Sequence, residues 1–285
     1  MPVDVTAARK LSPGYVLRAA KELAERGAVE LRNRKLDADF LSDRAHHLDR
    51  INAAVDKGIV WFLPIEDLTM SALFVLERTR AGLADSRFDF IDRKIARYRA
   101  TIRDAALRLF DRAYDPAAPA LAHLPDIMAV RPYQYIEQLM VKAVCADQND
   151  LGEDFLRDLE DTDDRGGYGT THIVAAGTIL KRFSKIPAPQ IEAMMRKCIP
   201  SMTRRNRTGY PGDQFCERVV MLQWLDRHDL VPPAWILRIL AHQNPDGGWQ
   251  ARGVPPEGQS NQHTTCLALA ALAEFHHHWA SRRGA

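Results

Sequence analysis

Three side chains able to hold a metal ion recur at nearly one interval in the second half of this sequence. His172, Cys216 and His263 are separated by 44 and 47 residues. Each stands near the start of an apolar run that follows a glycine–aromatic turn. Imidazole and thiolate are good donors to a borderline-soft ion, and three protein donors plus an open position make a catalytic zinc arrangement. Asp213 lies one helical turn before Cys216 and can add a carboxylate oxygen. Glu217, next to Cys216, is the nearest candidate base. Cys266, at i+3 from His263, shares its helix face. The expected cofactor is zinc, and the same donors also accept iron or copper. The plain alternative is that a cysteine on an apolar helix is a small core residue, and a histidine there a satisfied one.

An internal repeat is what would bring these residues together. A shift of 44 residues places His172 on Cys216, Ile186 on Leu230, Pro189 on Pro233, Ile191 on Trp235 and Met195 on Ile239. Each unit reads as an apolar helix, a proline-containing turn, an amphipathic helix and a glycine–aromatic turn. Those turns are Gly166-Gly167-Tyr168, Thr208-Gly209-Tyr210 and Gly247-Gly248-Trp249. Glycine permits the tight turn, and the aromatic ring can pack between hairpins or face a substrate. Stacked hairpins of this kind form a solenoid or a closed ring. A chain of 285 residues holds about six units of roughly 45 residues.

The first half adds helix-forming stretches over 17–31, 51–60, 68–83 and 90–114. Prolines 116, 119, 125 and 132 break the middle of the chain. Only Gly58 to Leu63 could pass for a strand. The expectation is an all-α chain of ten to twelve helices in one domain over 1–285, with faint hairpins over 1–130 and clearer repeats over 131–285.

Composition narrows the function. There are 39 Lys and Arg against 37 Asp and Glu, which argues against bulk binding to nucleic acid or to an anionic membrane. No apolar run is long enough to span a bilayer, and the first fifteen residues hold no signal-peptide core. The four cysteines form no C-x-x-C pair, consistent with a reduced, cytoplasmic protein. The expected partner is a small-molecule substrate, and whether a second subunit completes the cavity stays open.

The turn Gln243-Asn-Pro-Asp-Gly-Gly-Trp249 resembles the Q-x3-G-x-W turn of squalene and terpenoid cyclases. The hairpin plan is similar to that of protein prenyltransferase β subunits. Both are α/α toroids, with inner helices around a cavity and outer helices around them. The resemblance spans roughly residues 165–279 and implies that fold and an apolar or isoprenoid-like substrate. Asn261 to Leu272 is similar to the prenyltransferase segment carrying a zinc-binding histidine, here His263. That family's Asp-x-Cys pair corresponds to Asp213-Gln-Phe-Cys216, which has one extra residue between the two. Arg204, Arg205 and Arg207 lie upstream, where the family places basic residues for a diphosphate. Asp161-Thr-Asp163-Asp164 is similar to the D-x-D-D acid of class II cyclases, with Asp163 as the proton donor. Tyr168 and Trp249, on two of the turns, are the expected substrate-facing aromatics.

Three functions follow. The first is a metal-dependent enzyme with His172, Asp213, Cys216 and His263 as ligands and Glu217 as base. The second is a metal-free cyclase using Asp163. The third is a non-catalytic helical-repeat binding protein.

Overall fold

A computed structural model describes residues 13–101, 107–111, 140, 142–147, 151, 153–160, 168–251 and 259–282. Twelve α-helices occur among them, and no strand. The first five are α1 (Pro13–Ser42), α2 (Arg44–Phe62), α3 (Met70–Leu83), α4 (Phe90–Thr101) and α5 (Leu107–Phe110). Next come α6 (Glu153–Glu160), α7 (Gly169–Phe183), α8 (Ala188–Lys197) and α9 (Ile199–Asn206). The chain closes with α10 (Asp213–Trp224), α11 (Pro233–Leu240) and α12 (Gln262–Ser281). The strand-like run 58–63 belongs to the end of α2, where Gly58, Ile59 and Phe62 continue the buried face set by Ile51, Ala54 and Val55. Helical spacing over the longer window outweighs a short apolar run.

The most apolar helix organises the rest. From Thr264 to Ala273 every residue of α12 is buried, so the helix has no solvent face over that stretch. It packs between α10 on one side and α2 and α3 on the other, with α11 behind it. Amphipathic helices form the next layer: α1 covers α11, α8 covers α7, and α4 and α5 cover α3. Asn261 caps α12 by accepting the Thr264 amide at 2.8 Å, and Thr69 caps α3 by accepting the Ala72 amide at 3.3 Å. Gln262 joins those two starts, accepting from the Thr69 amide at 2.7 Å and donating to the Asp67 carbonyl at 3.0 Å.

The Gln243–Trp249 turn joins the two halves of the chain. Gln243 Nε2 donates to the Ala54 carbonyl of α2 at 2.9 Å and to Gly247 at 2.8 Å. Gly247 has φ +97°, and a Cβ there would meet the Lys57 carbonyl oxygen at 2.6 Å, so only glycine serves. Trp249 is 1% exposed and donates through Nε1 to the Ile239 carbonyl at 2.9 Å. Among the described residues no helix is long and apolar enough to cross a membrane.

Candidate active site

The first turns of α3, α7, α10 and α12 meet at one end of the molecule. A line of polar contacts crosses all four. Ser71 Oγ lies 3.3 Å from His263 Nδ1, and His263 Nε2 lies 3.2 Å from Asp213 Oδ1. The Tyr168 hydroxyl donates to Asp213 Oδ2 at 2.5 Å. Beside this line, His172 Nδ1 stands 3.7 Å from Glu217 Oε1 and 2.9 Å from the Tyr168 carbonyl. Two carboxylates one turn apart on α10 therefore each lie beside an imidazole, within 3.7 Å. The carboxylates are inside, with side chains 15% (Asp213) and 7% (Glu217) exposed, and the imidazoles outside, at 40% (His263) and 28% (His172).

Charge crowding tunes this cluster. Burial, and then the Asp213 carboxylate, push the Glu217 carboxyl up to about 7. His263, the Thr171 hydroxyl and Arg218 pull it the other way. Burial and the bond to Asp213 push the Tyr168 phenol up, so it remains a donor. Asp213 Oδ1 and Glu217 Oε2 are both buried without a hydrogen-bond partner. The contact from Asp213 to His263 is thus close but not aligned as a hydrogen bond.

The structure brings Tyr168, His172, Asp213, Glu217 and His263 together, but turns Cys216 away. The repeat equates Cys216 with His172, and both are the fourth residue of their helix. Yet Cys216 is 0% exposed and in the core, and Glu217, about 100° further round the helix, meets His172 instead. Burial and Asp213 push the Cys216 thiol up. Among the described residues no three His, Cys, Asp or Glu side chains are placed to share an ion. The zinc ligand set His172, Asp213, Cys216 and His263 does not fit as a group, and iron or copper would meet the same obstacle.

No protein-family model, curated protein or solved structure matches this chain. The likeness to α/α toroids therefore rests on the turn motif and the order of hairpins. Trp249 anchors that turn from the core and does not border the site. Arg204, Arg205 and Arg207 are exposed around the end of α9, and Arg207 pairs with Glu30 of α1 at 3.3 Å. Asp163 lies outside the described residues. Ser71 is the contributor the motif reading missed. Its only sequence signal is a helix start, Thr69-Met70-Ser71, in the half where the repeat is faint.

Proposed function

We propose that this chain is an acid–base enzyme that moves protons on a small apolar substrate at the joined first turns of α3, α7, α10 and α12. The observation that carries it is the pair of carboxylate–imidazole contacts side by side, each with its imidazole toward solvent. Near neutral pH Glu217 is divided between its acid and carboxylate forms, the condition for efficient proton transfer in either direction. In this reading the Glu217 carboxyl gives a proton to one substrate atom, and the His263 imidazole takes one from another. The Tyr168 hydroxyl orients Asp213, whose charge lies beside His263. No net proton is gained or lost, as in an isomerisation.

The same reading takes the fold as an α/α toroid of about six hairpins, with α3, α7, α10 and α12 as inner helices. Support comes from their shared direction, from the outer layer of α1, α8 and α11, and from the Gln243–Trp249 turn.

The test is incubation of the protein with a pool of small cellular metabolites, followed by mass spectrometry and chromatography of what is converted. Wild type is expected to convert a compound that Glu217→Gln leaves untouched, with and without chelator. Conversion abolished by chelator would restore the metal-dependent reading. Equal conversion by both proteins, or none, would leave the helical-repeat binding role.

A further inference from the structure

The later turns of the same four helices, about 10–15 Å from the acid–base cluster along the helix axes, enclose a second polar group that the proposed reaction does not use. A cavity of about 680 Å³ opens there, bordered by α3, α7, α10 and α12. That volume is in the range of small-molecule sites. Phe74, Phe110, Ile179, Phe183 and Trp224 supply apolar walls, and Arg78 and Glu274 stand among them.

Arg78 is the unusual member. Its guanidinium stacks on the Trp224 ring, 4.4 Å from the centroid. It makes no hydrogen bond or ion pair among the described residues, and its Nε is buried without a partner. A guanidinium carries five donors in a fork, and that of Arg78, partly buried, turns its open donors to the cavity. The neighbouring acids do not meet it. Glu274 accepts from Trp224 Nε1 at 3.1 Å and acts on Arg78 only through space. Glu77 pairs with Arg80 at 2.7 Å. The Asp226 side chain is 98% exposed and lies 3.8 Å from His228. Burial lowers the Arg78 pKa, and the Glu274 charge opposes this only in part.

We propose that this cavity binds a small carboxylate with an apolar body, the Arg78 fork taking the carboxylate and the aromatic walls taking the body. The fork suits a carboxylate in two-point contact, and Trp224 fixes its plane. Glu274, turned toward the indole N–H, closes the wall beside it. The site is independent of the acid–base reading, because the two clusters share no side chain.

The experiment is calorimetric titration with octanoate, octylammonium and octan-1-ol, three probes that share a chain and differ in head group. Octanoate is expected to bind at one site per chain, at least about ten-fold tighter than the other two. It should also shift the Trp224 indole resonance in the NMR spectrum. Arg78→Gln should lose that about ten-fold advantage and leave octan-1-ol binding unchanged. Arg78→Lys, which keeps the charge but not the fork, should keep only part of the advantage. Equal binding of all three probes by wild type would overturn the proposal, even if Arg78→Gln failed to fold. So would a folded Arg78→Gln with undiminished octanoate affinity, or octanoate binding that leaves the Trp224 resonance in place.

Discussion

The two ends of the four parallel helices hold the same group in opposite company. At the first turns, Glu217 sits beside another carboxylate; at the last turns, Glu274 sits near a guanidinium. Both carboxyls are pushed up to about 7, and burial is the main cause of each. At Glu217 the like charge of Asp213 adds to burial, whereas at Glu274 Arg78 and the Trp224 indole work against it. The similar values therefore arise differently. At Glu217 burial and a like charge act in the same direction. Glu274 is a weak counter-charge that leaves Arg78 unsatisfied.

Stability against pH is the largest expected consequence. Each glutamate titrates higher in the folded chain than the ordinary value of about 4.3, so folding favours its protonated form. The stability this adds is fully present below about pH 4 and is lost as pH rises through about 7. The loss at Glu217 is about 4 kcal/mol at most, because a tenfold change in proton affinity on folding is worth about 1.4 kcal/mol. Glu217→Gln should match wild type near pH 4 and exceed it at pH 8, as read by urea denaturation. A variant no more stable than wild type at pH 8 would show that Glu217 does not titrate near neutrality.

The next test separates the two ends by sign. Asp213→Asn should lower the Glu217 titration midpoint by about one pH unit, and Arg78→Gln should raise that of Glu274 by a similar amount. Carbon NMR of labelled glutamate carboxyls reads both. Midpoints that move in the same direction would abolish the contrast.

Removing single hydrogen bonds should do less. Tyr168→Phe deletes the donor to Asp213, and Trp224→Phe deletes the donor to Glu274. Each should cost about 1–2 kcal/mol in thermal or urea unfolding. Smallest of all is Arg204→Ala, on the exposed end of α9, with a change within about 0.5 kcal/mol. A large effect there would return the arginine cluster to the site.

Part of this arrangement was legible in the sequence. The glycine–aromatic turns marked apolar helices starting near Asp213 and Asn261, and the 44-residue shift aligned the fourth residues of α7 and α10. The shift fixes height along a helix but not rotation about it. Spacing alone thus favoured Cys216, while the packed helix turned Glu217 toward His172. Ser71 and Arg78 belong to α3, some 190 residues from their partners on α12 for Ser71 and some 150 from Trp224 for Arg78. Periodicity predicts neighbours on one helix and does not report contacts across such distances. The chemistry around Arg78 was hidden for the same reason: nothing in the sequence near Arg78 points to Trp224.

The Gln243–Trp249 turn also has a bearing on synthesis. It fastens the Ala54 and Lys57 stretch of α2 to residues made nearly 200 positions later. The face of α2 that α12 covers has no partner until the last helix emerges. At about 5–20 residues per second, that interval is roughly 10–40 s on the ribosome. For that time the stretch of α2 around Gly58, which lies against Leu269 and Trp249 in the folded chain, is uncovered, and exposed apolar surface of this kind favours aggregation.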